Sequence, residues 1–160
     1  MAQGTALDSL LEAWRTNNRI SLFLIERISD EGLRSTLSKH GGRDVAGQFG
    51  HMHNNRVWHL ERRAADLAAG LPIFETKVSP DRAGLVDAFE ASGAAIGTFL
   101  ADLLDGKPGR RGSRKGIFTT LAYFVAHESH HRGSILLTLK QCGHKPDQAT
   151  TYAIWDWDRI

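Results

Sequence analysis

The chain has 160 residues, 41% of them hydrophobic and 24% charged, which fits one ordinary domain over residues 1–160 with a real core and makes a second domain improbable. Its 20 basic and 18 acidic side chains nearly cancel, so the net charge of +2 is no argument for nucleic acid by itself. The start Met1-Ala2-Gln3-Gly4-Thr5 has no basic region or apolar signal core, no stretch approaches a membrane span, and the one cysteine, Cys142, excludes an internal disulfide; a reducing cytoplasm and no membrane are expected.

Four long helices account for most of the chain. The first runs from about residue 5 to 28, with Leu7, Leu11, Trp14, Ser21, Ile25 and Ile28 on one three-four register and Asn18, unusually, on it too. The second starts at Asp44 as N-cap and continues through Val45, Phe49, Met52, Leu60 and Leu67 until Gly70 and Pro72. The third follows Ser79-Pro80-Asp81 and carries Leu85, Phe89, Ile96, Phe99 and Leu103 to Gly106, with Gly93 and Gly97 permitting close helix contact. The fourth spans about 117–142 and ends at Gly143, a natural left-handed cap, with Pro146 beyond. The segments 73–78 and 151–157 are weak as strands, so the expected fold is all-α, a four-helix bundle with a short irregular C-terminal tail. That tail holds Tyr152, Trp155 and Trp157, and burial of Trp155 or Trp157 is expected of it.

The chemistry concentrates in Tyr123-Phe124-Val125-Ala126-His127-Glu128-Ser129-His130-His131-Arg132-Gly133. At 100° per residue His127 and His131 stand about 40° apart, one turn above each other, so their imidazoles can converge on one ion. His130 points roughly 60° the other way. Imidazole suits Zn, Ni, Cu or Fe, whereas Mg or Ca would call for oxygens. A pair is incomplete, since zinc takes at least three protein ligands. The second helix offers His51, His53 and His59; His53 and His51 fall at opposite margins of its apolar arc, and periodicity alone does not choose between them.

At this point the chain resembles the DinB/YfiT-like family of four-helix metalloproteins over most of its length. The resemblance rests on Asp44-Val45-Ala46-Gly47-Gln48-Phe49-Gly50-His51, continuing to His53 and Asn54, and on His127, His131, Arg132 and Gly133. It implies an up-down-down-up bundle with a long link between the second and third long helices, metal ligands His51, His127 and His131, and a homodimer. It also implies zinc first, with nickel or iron as alternatives, and a metal-dependent enzyme acting on a small molecule. Thiol-dependent S-transferase or isomerase chemistry with a low-molecular-weight thiol is one form of this, hydrolysis another. The alternative is a non-catalytic metal- or ligand-binding stress protein.

His127-Glu128-Ser129-His130-His131 also satisfies the zinc-protease pattern His-Glu-x-x-His. Proteolysis is disfavoured, because Ser134 and Leu137 stand where the metzincin form needs Gly and His, and no glutamate follows Glu128. Glu128 projects into the apolar arc, where a bare carboxylate is costly, so it is expected to pair, ligate, protonate or act as a catalytic group. Asn18, His53, Asn55 and His130 are candidates for orienting a ligand or binding substrate. The loop 106–116 holds five cations in eleven residues without interleaved aromatics, which reads as a mobile solvated loop rather than a nucleic-acid site, with capture of an anionic substrate as a lesser option.

Overall fold

Three of the four long helices begin at a side-chain cap. Thr5 and Asp8 form a reciprocal capping box on α1 (Ala6–Arg27), Asp44 accepts from the Gly47 amide at 2.7 Å on α3 (Val45–Arg63), and Asp81 accepts from the Gly84 amide at 2.8 Å on α5 (Arg82–Leu104). The fourth, α6 (Ile117–Gln141), starts after Gly116 with no side-chain cap and ends before Gly143, whose φ of 83° is the left-handed turn expected there. Short helices α2 (Asp30–Leu33), α4 (Ala65–Ala68) and α7 (Gln148–Ala153) fill the connections. The structure, a computed structural model, describes residues 5–160, and no strand occurs among them; the side chain of Leu7 lies outside the described residues.

The core is two apolar clusters, and their membership gives the helix directions. One gathers Leu24, Ile25 and Ile28 from the end of α1, Val45 and Phe49 from the start of α3, Leu85 and Phe89 from the start of α5, and Ile135 and Leu139 from the end of α6. The other gathers Leu10 and Trp14, Val57 and Leu60, Ile96 and Phe99, and Phe124 from the opposite ends of the same helices. So α1 and α6 run one way and α3 and α5 the other, in the up-down-down-up order. Parallel α3 and α5 require the link between them to return along the bundle. Nineteen residues of α3 span about 28 Å, within reach of the connection 69–81, which extends to about 43 Å. Two side chains hold that connection down: Asn54 exchanges hydrogen bonds with both backbone groups of Phe74 at 2.8 and 3.0 Å, and His53 Nε2 donates to the Pro72 carbonyl at 2.7 Å.

Three expectations change. The second long helix breaks at Ala64 (φ −164°, ψ 60°) instead of running to Gly70, which turns α4 so that Ala68 packs in the second cluster. On α1 the fully buried asparagine is Asn17, while Asn18 is half-buried. The tail is not wholly irregular, because α7 is capped by Asp147, and its aromatics do not bury: Trp155 is 76% and Trp157 42% exposed. Ile154 anchors the tail in the first cluster, and the Ile160 carbonyl accepts from Arg19 Nε at 2.9 Å. The aromatics are free to face water because these two contacts already fix the chain.

Between the apolar clusters lies a buried polar layer. Arg56 (0% exposed) donates Nε and Nη2 to the two oxygens of Glu128 (1% exposed) at 2.7 and 2.9 Å, a two-pronged pair. Asn17 donates to the same carboxylate at 2.8 Å and accepts from Arg132 at 2.8 Å, and Arg132 also reaches Ser21 and Ser129. Arg56 further donates to Asn18 at 2.7 Å and Ser92 at 3.2 Å, and its guanidinium lies 4.4 Å from the Phe89 ring and 4.9 Å from the Trp14 ring. Gly93 leaves room for Asn18 at the α1–α5 crossing, where Trp14 Nε1 donates to the Gly93 carbonyl at 2.8 Å.

Candidate metal centre

The outer seam between α3 and α6, on the flank of that layer, carries the histidines. On α6, Tyr123, His127 and His131 follow each other at four-residue steps; on α3, His51 and Asn55 do the same. One potential ligand atom from each of His51, His127 and His131 lies within 4.8 Å of the others, and the ring centroids are 5.5, 4.8 and 4.7 Å apart. Donors holding zinc at its usual ~2.0–2.1 Å sit about 3.4 Å apart, so small ring rotations complete the triangle. All three rings are half-buried. Burial disfavours their charged form: His131 is pushed down to about 4, with His127 and His51 adding repulsion, and His51 and His127 lie below the usual histidine range. They are therefore neutral at pH 7, the form that ligates.

Hydrogen bonding sets this seam apart. Among the described residues three buried side-chain polar atoms have no partner, His51 Nδ1, His127 Nδ1 and Asn55 Nδ2, and all belong to this one seam. A buried polar atom left unpaired costs about 1–3 kcal/mol. A cluster of them leaves donors and acceptors available to a water, an ion or another ligand. The donor set of three imidazoles with no carboxylate or thiolate fits zinc, nickel or iron rather than magnesium or calcium.

The other candidates divide. Asn55 joins the seam, where its Oδ1 accepts from the Tyr123 hydroxyl at 3.4 Å. His130 is exposed, its ring 5.3 Å from that of His131. His53 does not reach the seam: its Nε2 is held by Pro72 and its Nδ1 lies 3.1 Å from Ser92 Oγ, so both nitrogens are occupied in the core. Since a carbonyl only accepts, Nε2 carries the proton and Nδ1 accepts from the serine. Asn18 likewise serves Arg56, not the imidazoles. Glu128 takes the pairing alternative, with both oxygens held by Arg56 and Asn17 and its carboxylate turned into the core.

Two aromatic side chains to which the sequence pattern assigns no role flank the seam: Tyr123, one turn before His127 with its ring stacked near that of His127 (6.1 Å, 15°), and Trp58, whose ring is 6.2 Å from His51. The Tyr123-His127-His131 spacing was a usable signal. Arg56 is a further functional residue without an assigned role in the sequence pattern, although Phe49, Met52, Arg56 and Leu60 share one register.

A four-helix bundle that gathers imidazoles from two facing helices is the architecture of metal-carrying helical bundles. The chain belongs to the DinB family, whose family model matches residues 1–158. No curated protein matches it.

Proposed function

We propose that this DinB-family protein binds one divalent metal, zinc first and nickel or iron as alternatives, through His51, His127 and His131, and that it is a metal-dependent enzyme acting on a small molecule. The observation that carries the reading is the coincidence of three approaching neutral imidazoles with the unpartnered buried polar atoms of the described residues. A metal held by three protein ligands supplies a Lewis acid with room for water or a thiol, whose pKa it lowers into the useful range. This favours thiol-dependent S-transferase or isomerase chemistry with a low-molecular-weight thiol, or hydrolysis.

The chain's own groups have distinct parts in that reading. Asn55 offers a free amide donor beside the imidazoles, Tyr123 closes one side of the seam and Trp58 the other, and exposed His130 stands at the rim for substrate or a subunit contact. Glu128 acts as a positioning residue: its pair with Arg56 locks α6 to α3 and so sets the spacing of histidines carried by both helices. The family resemblance supports a homodimer, and the lone Cys142 a reducing cytoplasm.

Elemental analysis of untagged protein tests the metal. One ion per chain is expected in the wild type and none in the His127→Ala/His131→Ala double variant; full occupancy in that variant overturns the assignment. A thiol-transfer screen of the loaded protein then separates the enzyme from a non-catalytic binding protein, which would hold metal without turnover.

A further inference from the structure

On the other side of Tyr123 from the histidine seam lies a cavity of about 530 Å³, within the usual range for small-molecule sites. Its wall includes His59 and Arg63 at the end of α3, Ser113, Arg114 and Lys115 from the α5–α6 connection, and Tyr123. The connection, expected to be mobile, is stapled at its base. Arg110 is paired with both oxygens of Asp66, at 2.5 and 2.7 Å, and with Asp102 at 2.8 Å; Lys107 also takes Asp102 at 3.1 Å. Arg63 donates to the Arg111 carbonyl at 3.1 Å, and the Ser113 amide to Thr120 Oγ1 at 2.8 Å.

Lys107 and Arg110 at the base have carboxylates, whereas Arg63, Arg114 and Lys115, which line the cavity, form no ion pair among the described residues, as exposed Arg111 outside it also does not; what sets the cavity apart is that three cations and no acidic residue line it. The comparable hollow beside Arg43 at the other end of the seam includes Asp44. Three like charges lining one space with no acidic neighbour set up a positive potential that attracts an anion. Tyr123 is the shared wall: its ring stands 4.8 Å from that of His59 in the cavity and 6.1 Å from that of His127 in the metal triangle.

We propose that this cavity is the anion subsite of the small-molecule site, in which Arg63, Arg114 and Lys115 hold a carboxylate or phosphate ester of a substrate or thiol whose reactive end reaches past Tyr123 to His51, His127 and His131. The subsite deepens the metal-enzyme reading and rests on it for its second half. It makes the charge on the far end of the ligand a determinant of specificity, with the metal triangle selecting the reactive end.

The test uses the full chain loaded with Co(II), whose thiolate charge-transfer band reports ligands at the metal. Mercaptohexanoate and neutral mercaptohexanol, matched in length, are compared at constant ionic strength. The wild type is expected to bind the acid about tenfold more tightly, equivalent to roughly 1.4 kcal/mol, and an Arg114→Gln/Lys115→Gln variant with unchanged melting temperature to bind the two alike. Equal affinities in the wild type overturn the subsite. Failure of the metal reading appears separately, as absence of any cobalt spectrum. In that event inorganic phosphate and acetate are titrated against backbone amide resonances, with sodium chloride as the ionic-strength control. Saturable shifts confined to residues 112–120 and lost in the variant uphold the anion subsite, the stronger of the two anions identifying its source; shifts no different from those in chloride overturn it.

Discussion

Glu128 and His127 are neighbours on α6, yet their surroundings are opposite. Glu128 is fully enclosed, and both of its oxygens accept from Arg56 and Asn17. His127 is half-buried, close to two more imidazoles, and its Nδ1 has no partner. The Glu128 carboxylate and the His127 Nδ1 atom are both shielded from water, and what separates them is that the first has hydrogen-bond partners and the second has none. A satisfied network belongs to the fold. An unsatisfied cluster at the same height of the bundle is free to take a ligand.

The largest expected effect falls on the satisfied side. Glu128→Gln leaves the buried Arg56 and Arg132 without their counter-charge, and urea unfolding should show a loss of about 3–5 kcal/mol. A loss under 1 kcal/mol would show that the layer is hydrated or dispensable. On the unsatisfied side the pattern reverses. His51→Ala, His127→Ala and His131→Ala should each weaken metal binding by more than about 100-fold in competition with a chelating dye, while the metal-free variants melt close to the wild type. A smaller and sharper contrast pairs two histidines on one helix. His53→Ala should cost about 1–3 kcal/mol of stability through the lost hold on Pro72 and Ser92, and change metal affinity by less than about tenfold. If His51→Ala and His53→Ala weaken metal equally, the seam has been drawn on the wrong face of α3.

Much of this was legible in the residues. Asp44, Asp81 and Gly143 mark helix ends because capping is local chemistry, and the His127/His131 pair follows from helical pitch alone. The choice between His51 and His53 was not local. Both stand at margins of the same apolar arc, and what occupies His53 is the backbone at Pro72, placed there only once parallel α3 and α5 force the link to return. Arg56 was legible in principle, a cation on the register of Phe49, Met52 and Leu60 facing an acid on the register of Phe124 and Ile135; opposed charges on two apolar stripes point to a buried pair. Asn17 differs from Asn18 by one position, less than the precision of a register read from apolar spacing. Nothing in the good helix formers around Ala64 announces the break there. The exposed Trp155 shows that aromatic content in a tail does not decide which residue anchors it, since Ile154 beside it does so.

The last expected effect is a pH dependence, and it separates the histidine seam from the ion pairs. Burial lowers His59 and His131 from the ordinary value to about 4. In the unfolded chain both take up a proton near pH 6.5, so between about 6.5 and 4 the unfolded state holds more protons than the folded one. Stability contributed by the neutral rings is therefore complete above pH 6.5 and is lost progressively as pH falls toward 4. The carboxylates lowered by their arginine partners or helix caps, among them Glu12, Asp66, Asp102 and Asp147, lose their contribution at the lower end of that range and below it. Denaturation of metal-free protein between pH 7 and 5 consequently isolates the histidines. The wild type should lose stability over that interval, and a His59→Gln/His131→Gln variant should lose measurably less. Equal slopes for the two would mean that the rings titrate as in the unfolded chain, and the seam would then be as open to water as an ordinary surface.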